Sequence, residues 1–301
     1  MYKKKFNSKN IAIIISSIGE SYLENNLKSI LNSSGKIGKI ILCVPENCSI
    51  SLKSKKILIL KSKVKNQVIQ RCLAKKYISK NIKLIFQLDS QFILRKSSIN
   101  QILNIWNNQS DNVAGIGFIP HNYSLPKINF LQKILLTNSN SIGKVLSSGR
   151  VSAWKKNTKF KKVDWLHGGC VTWRYKYCSD LFNRKYPIIK WSVAEDLIYS
   201  FRKSKKYNLF ISNKVKLRSI KKIKHFSMID NYIRGYLHAK VIKNFVIYNN
   251  NLSLISYYYS MILSSIIGAA WSFFSFDYQK LSSYLGRFVG SLSKTYNFKI
   301  I

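Results

Sequence analysis

The chain has 301 residues, 46% of them apolar, enough to bury the core of one large domain or two modest ones and too many for a disordered chain. Fifty-one Lys and Arg against 11 Asp and Glu give a formal charge of +40, which draws anions of three kinds: nucleic acid, an anionic membrane face or a phosphorylated substrate. The cysteines, Cys43, Cys48, Cys72, Cys170 and Cys178, are odd in number and form no CxxC pair, so neither a disulfide framework nor a zinc site is indicated and a reducing cytoplasm fits.

The start, MYKKKFNSKNIAIIISSIG, has a basic head and a short apolar run, as a signal peptide does. The run is rich in β-branched residues and has no small-residue cleavage pattern, so it reads as a buried first strand. IAIII (11–15) is the continuous apolar run of a parallel strand covered on both faces. Ser16, Ser17 and Gly19 form the loop at its carboxyl end. Ser21 followed by Glu24 predicts a capping box for a helix along SYLENNLKSILN, where Leu23, Leu27, Ile30 and Leu31 recur at helical spacing.

KIILCV (39–44), KILIL (56–60), KLIFQL (83–88) and VAGIGFI read as further strands, and NQVIQRCLAKKYI (66–78) and SINQILNIW as helices. This alternation predicts a doubly wound α/β sheet, in which ligands collect at the carboxyl ends of strands. Asp89, directly after IFQL, stands at such an end. From about Pro120 to Lys162 the pattern loosens into Gly, Ser, Asn and Pro, which predicts a mobile loop over a cleft; order returns at VDWLHGGCVTWRY. After His225 the chain reads as helical. From Asn244 to Phe276 it carries no charge, and LSLISYYYSMILSSIIGAAWSFF is near the roughly 20 residues that cross a bilayer, though diluted by Ser and Tyr. Spanning the membrane, lying in its interface and capping a soluble domain all stay open. The expected division is 1–222 and 223–301.

The lysines run from Lys3 to Lys299 among abundant Ile, Asn and Ser, which points as much to a compositional bias on exposed positions as to selected attraction of anions. A nucleic-acid interface calls for a basic stripe interleaved with aromatics in a recognisable module. The sequence has neither, so nucleic acid is not the favoured partner.

Four landmarks stand in order: ISSIGE after the first strand, LDSQ after a later one, WLHGGC, and AEDLIYSFR on a helix. In that order they resemble the family 2 glycosyltransferases, inverting enzymes with the nucleotide-diphospho-sugar transferase fold, a Rossmann-like A-type architecture with a mixed central sheet. Gln70 and Arg71 in NQVIQR, and GKVLSSGR (143–150), are similar to a bacterial subset acting on cell-surface polysaccharides. The resemblance covers roughly residues 10–225. It implies a nucleotide-diphosphate sugar donor in the first half and a glycan or lipid-linked acceptor in the second, with Asp196 as catalytic base and Glu195 orienting its neighbourhood. A sugar hydroxyl is too weak an acid to attack unaided, and a carboxylate within reach takes its proton as the bond forms. Adjacent helical residues point about 100° apart, so one of the two acids faces the substrate. Taken alone, the pair reads equally as two acids in the favourable first turn of a helix.

Asp89 matches the first carboxylate of the family's DxD motif, which holds the ribose and a divalent cation (Mg or Mn). Gln91 replaces the second, and an amide is a poorer ligand for a hard cation, which puts metal dependence in question. His225 stands about where relatives place a histidine near metal and diphosphate. Arg71, Arg150 and Arg174 are candidates for bidentate contacts to the departing diphosphate. The resemblance also implies that Ser16, Ser17 and Glu20 line the nucleotide pocket and that Glu46, in VPEN, takes the place of an Asp for base or ribose. His167, Gly168 and Gly169 would let a sugar approach the backbone closely. Trp165 and Trp173 are suited either to stack on sugars or to fill the core. The C-terminal region suits an enzyme at the inner face of the plasma membrane, drawn by its basic residues to anionic lipid. Gln91 leaves open a degenerate transferase that only binds. The whole expectation needs Asp89 and Asp196 to border one hollow.

Overall fold

The sheet is built outward from the first apolar run. β1 (Ile11–Ser16) pairs in parallel with β2 (Lys39–Pro45) on one side. β2 in turn pairs with β3 (Ile57–Ser62), and β1 pairs on its other side with β4 (Leu84–Leu88). Ile11, Ala12, Ile13 and Ile15 lose all exposure, the environment that β-branched side chains on a strand covered on both faces require. Beyond β4 the sheet turns mixed. A short pair, β5 (Phe92–Leu94) with β10 (Leu217–Ser219), stands apart as a two-stranded ribbon. β6 (Val113–Phe118), β7 (Phe160–Val163), β8 (Cys170–Arg174) and β9 (Asn208–Ser212) complete an eight-stranded order β3-β2-β1-β4-β8-β6-β9-β7, with β8 and β7 antiparallel to their neighbours. The expected Rossmann-like α/β fold with a mixed sheet is the one found.

The computed structural model describes residues 5–33, 35–52, 54–122, 128–155, 157–182, 192–220 and 226–295. It divides into two compact units: residues 1–124, 155–192 and 199–221 form one, and 125–154, 193–198 and 222–301 the other.

In the first unit α1 (Leu23–Leu31), α2 (Gln67–Ala74) and α3 (Ser98–Asn107) cover the sheet with apolar stripes, Leu23, Leu27 and Ile30 on α1 and Ile99, Ile102, Leu103 and Trp106 on α3. The expected capping box at Ser21 and Glu24 does not start α1. Its cap is Tyr22, without a side-chain cap bond, because that ring is drawn into the core and the Leu23 N–H is satisfied by the Glu20 carbonyl at 2.9 Å. Asn66 caps α2 instead, its side-chain oxygen accepting from the N–H groups of Val68 and Ile69. The fully buried Trp106 donates its indole N–H to Thr172 Oγ1 at 2.7 Å, tying α3 to β8.

The stretch 120–162 is more ordered than a loop. It contains α4 (Phe130–Ile134), opened by a reciprocal box between Asn129 and Gln132, a bridge between Val145 and Val151, and then β7. The box is the signal that the surrounding polar residues hid, and β7 carries exposed Lys161 and Lys162, as an edge strand does. Residues 123–127 of that stretch lie outside the described residues.

The second unit is helical. α5 (Glu195–Ser204) begins in it and ends in the first unit. α6 (Met228–Ile247) and α8 (Tyr278–Leu292) meet backbone to backbone: a Cβ on Gly235 would lie 2.1 Å from the Ser283 carbonyl, and one on Gly286 2.1 Å from that of Tyr232. α7 (Leu254–Phe274) packs a face of Tyr257, Ser260, Met261, Ser265 and Ser272 inward and turns Ile255, Trp271 and Phe274 outward, the last three 83%, 77% and 78% exposed.

Candidate active site

The carboxyl ends of β1 and β4 lie side by side, and the first polar residues after each meet there. Asp89 follows β4; its N–H donates to the Gly169 carbonyl at 2.7 Å, which fixes the loop before β8. Its carboxylate is held from the other side by Arg71, which α2 delivers with 6% exposure: Arg71 Nη2 is 3.4 Å from Asp89 Oδ1 and 3.4 Å from Gln67 Oε1. A Cβ on Gly169 would fall 2.4 Å from Asp89 Oδ2 and 2.9 Å from His167 Cε1. Gly169 is thus the floor on which the carboxylate rests. The His167 ring turns back on the same loop, Nδ1 accepting from the Gly169 N–H at 3.1 Å, which assigns the ring proton to Nε2 in the neutral imidazole.

A second carboxylate stands on the β1 side. Glu20 accepts from the Ser17 hydroxyl and, at 3.1 Å, from the Ser90 hydroxyl, so the loops after β1 and β4 share one acid. Ser17 is further fixed through its carbonyl, which accepts from Gln70 Nε2 at 3.1 Å, and its Oγ, which accepts from the Gly19 N–H at 3.0 Å. Gly19 adopts φ +87°, where a side chain would be strained and would strike Cys48 Sγ. Ser16 Oγ donates to the Gln67 carbonyl at 3.4 Å. Tyr22 senses both acids: burial first, then Glu20 and Asp89, push its phenol above the ordinary value against a hydrogen bond with Ser90. Burial pushes Cys43 up to about 12, and burial together with Asp89 raises Cys170 well above the usual range.

Of the residues expected from the sequence, Ser16, Ser17, Glu20, Arg71, Asp89, His167 and Gly169 therefore gather at one end of one sheet, with Gly168 in the same loop. Glu46 is exposed just past β2. Gln91 is half-buried, its carbonyl accepting from the Ile220 N–H at 2.8 Å, and Trp165 is half-buried in the loop that enters β8. Glu195 and Asp196 stand in the second unit, half-buried in the first turn of α5, where Asp196 Oδ1 accepts from the Leu197 N–H at 2.8 Å. Ala194 immediately before them has φ +57°, a conformation that costs a non-glycine residue about 1–3 kcal/mol and that gathers where geometry matters for function. His225 lies outside the described residues.

One expectation fails, and one open alternative, stacking or core for Trp173, closes in favour of the core. Arg174 is not free to meet a diphosphate. It sits at the end of β8 away from Asp89, paired across with Leu84, and spends its donors on the Val113 carbonyl (3.1 Å), Asp111 (2.7 Å) and the Ser110 carbonyl (2.8 Å) between the rings of Phe6 and Trp106. Trp173 is core, 2% exposed, donating to Gln87 Oε1 at 2.9 Å and edge-on to Tyr199. Sequence reasoning also passed over Tyr22, Gln67, Ser90 and Asn26, whose Nδ2 reaches the Phe92 carbonyl and, at 3.5 Å, that of Asp89. Ser90 was legible from its place beside Asp89; the helical three had no signal short of the fold.

The mixed eight-stranded α/β sheet is that of the nucleotide-sugar glycosyltransferases, and the chain has that fold. No family model and no curated protein matches the sequence. Solved structures do. The mannosyltransferase PcManGT from Pyrobaculum calidifontis, in complex with GDP-Man and Mn2+, superposes with a TM-score of 0.55 at 10% identity over 94% of this chain and 87% of its own. S. aureus TarS 1-349 gives 0.52 at 10% identity over 88% and 74%. GalNAc-T7 with UDP, GalNAc and Mn2+ gives 0.54 at 11% identity over 95% of this chain and 55% of that one.

Proposed function

We propose that the chain is an inverting glycosyltransferase that moves a sugar from a nucleoside-diphosphate donor to a hydroxyl of a glycan acceptor carried on lipid. The observation that supports this most is the Asp89 carboxylate held by Arg71 over the bare backbone of Gly169, in a fold shared with a mannosyltransferase solved with its sugar nucleotide. Ser16, Ser17, Glu20 and Glu46 are assigned to the nucleoside, Arg71 and Asp89 to the ribose and diphosphate, and Trp165, His167, Gly168 and Gly169 to the sugars. The resemblance assigns the general base to Asp196, with Glu195 positioning it. The acceptor oxygen attacks the anomeric carbon as its proton passes to Asp196. The anomeric carbon's bond to the phosphate oxygen breaks with inversion, and the nucleoside diphosphate leaves with the electron pair, its charge met by Arg71. Holding the partners in line supplies much of the rate.

Two of the similar structures contain Mn2+. In this chain the donors described at the end of β4 are one carboxylate already paired with Arg71 and an amide at 91, and no three His, Cys, Asp or Glu side chains gather as ligands among the described residues. Those donors alone offer few oxygens to a hard cation, which takes several; the Mn2+ of the similar structures supports a divalent cation, and no step here is routed through it.

The outward face of α7, with exposed Phe130, Leu131 and Ile134 on α4 of the same unit, supports a protein lying in the interface of an anionic cytoplasmic leaflet. The test is transfer from a panel of sugar nucleotides to a lipid-linked acceptor, with product stereochemistry read by NMR. Asp196→Asn is expected to lower kcat about 10²- to 10⁴-fold with donor affinity kept. Equal inertness of wild type and variant with every donor would favour a binding protein of the same fold, and a retained anomeric configuration would overturn inversion.

A further inference from the structure

The helical unit holds a second cluster of charge that the transfer reaction does not use. Arg234 and His238 lie one turn apart on α6, Arg287 comes from α8, and Arg150 comes from the turn between the bridged Val145 and Val151. Gly149 lets that turn sit directly on α6: a Cβ there would be 2.6 Å from Val246 and 3.0 Å from Ile242. Arg150 Nη1 donates to a thioether, Met261 Sδ on α7, at 3.9 Å. One turn along that face Ser265 Oγ is buried without a hydrogen-bond partner, as are His238 Nδ1 and Arg287 Nε. Three of the surrounding elements thus each aim an unsatisfied polar atom inward.

The charges feel one another. Burial, then Arg287, pulls Arg150 down to about 10, so it stays protonated at neutral pH. Burial, then Arg150 and Arg287, holds His238 well below its ordinary value. Tyr257 and Tyr284 border Arg150, and Asp230 on α6 is the acid coupled to the cluster, through Arg234. Among the described residues no carboxylate forms an ion pair with Arg150 or Arg287, and Asp230 meets the cluster only at Arg234. Three guanidinium groups and an imidazole crowded around a single acid are costly to bury unless something mobile supplies further negative charge. Guanidinium forks match a tetrahedral oxyanion bidentately, and an imidazole that gains a proton adds a further donor.

We propose that Arg150, Arg234, His238 and Arg287 form a phosphate-binding site inside the helical unit, separate from the residues around Asp89. The ligand class is a phosphate ester, whether a lipid headgroup or a soluble phosphate. The apolar outer face of α7 on the same unit would present lipid phosphates to it. The site stands whether or not the first unit transfers sugar.

The test uses the full chain and two probes, inorganic pyrophosphate and vesicles of phosphatidylcholine with or without phosphatidic acid. The double variant Arg150→Gln, Arg287→Gln is compared with Lys155→Gln, Lys161→Gln, which removes equal charge from exposed positions. All are made in an Arg71→Met background, so that a donor pocket does not contribute. Each lost charged hydrogen bond is worth about a factor of ten or more, so binding of at least one probe should fall by that much in the arginine pair alone. A loss confined to phosphatidic acid vesicles identifies the headgroup as source; a loss confined to pyrophosphate identifies a soluble ligand. Equal behaviour of the two doubles with both probes overturns the site. Should the arginine pair fail to fold, the His238 ring nitrogens of the otherwise intact chain decide: their NMR signals should shift toward the protonated form with one of the probes, and signals unmoved by both overturn the proposal.

Discussion

The two units solve opposite packing problems. In the first, the sheet's interior is largely apolar and the candidate site gathers at the carboxyl ends of β1 and β4, where Gly169 clears space for Asp89 and Glu20 joins two loops. In the second, Ser260, Ser265 and Ser272 are about 1% exposed while Ile255, Trp271, Phe274 and Phe276 are each more than three-quarters exposed. Its helices close on glycines rather than on leucines, and cations line its inside. Water as solvent explains the first arrangement, because burying apolar area drives it. Small residues at helix contacts, polar groups inside and large apolar groups outside are what an apolar surrounding selects. The same chain carries both patterns, one in each unit.

The sharpest break in that contrast comes from the polar end of the sheet. Gly169→Ala drives a methyl group into Asp89 Oδ2 and should cost about 10²- to 10³-fold in kcat/KM for transfer, the usual effect of displacing a charge-positioning group. Asp89→Asn should do the same and also weaken the hold on the buried Arg71, lowering the melting temperature; Asp89→Ala removes that partner outright and should lower it further. Both are read by steady-state kinetics beside a thermal melt. Normal transfer by Gly169→Ala would remove Asp89 from the donor site.

Next in size is the outer face of the second unit. Trp271→Glu with Phe274→Glu removes two exposed aromatics, each worth about 1.5–3 kcal/mol when buried in an apolar phase. Flotation with anionic vesicles should show binding weakened about 100-fold or more, with an unchanged melting temperature in solution because neither side chain packs inside. Undiminished flotation would assign membrane attachment to the basic residues alone.

How much of this was legible follows the same divide. IAIII, KIILCV and KLIFQL announced their strands because fully buried strands read as unbroken apolar runs, and Asp89 could be placed at a strand end before any relative was considered. The partner of Asp89 was half visible: Arg71 was marked, but its contact depends on which face of α2 meets the sheet. Arg174 misled because an arginine in so basic a chain gives no hint that its donors are spent on Ser110, Asp111 and Val113. The α6–α8 contact was illegible, since Gly235 and Gly286 read as weak helix formers until their backbones are seen to touch.

A smaller effect tests whether the first unit has exchanged a cation for an arginine. Gln91→Asp restores a second carboxylate beside Asp89, and after chelation the variant should be stimulated about fivefold by Mn2+, because added oxygen ligands favour a hard cation. Wild type should change less than the variant. A wild-type enzyme wholly dependent on Mn2+ would show that groups outside the described residues complete a metal site.

A gradual effect, spread over about two pH units, lies inside the second unit. His238 is held neutral there by burial and by Arg150 and Arg287, so its pKa in the folded chain is below the unfolded value near 6.5. Below that pH the unfolded chain takes up a proton that the folded chain refuses, so unfolding is favoured by acid and stability falls as pH drops, by at most about 1.4 kcal/mol per unit. Above about pH 7 the group contributes no slope. Thermal melts between pH 7 and 5 should show this decline, and His238→Gln should flatten it. An anion bound among the three arginines changes the sign of the local field, so saturating pyrophosphate should also flatten the decline in wild type while leaving His238→Gln as it was. That difference distinguishes a core that merely tolerates its cations from one organised around a ligand.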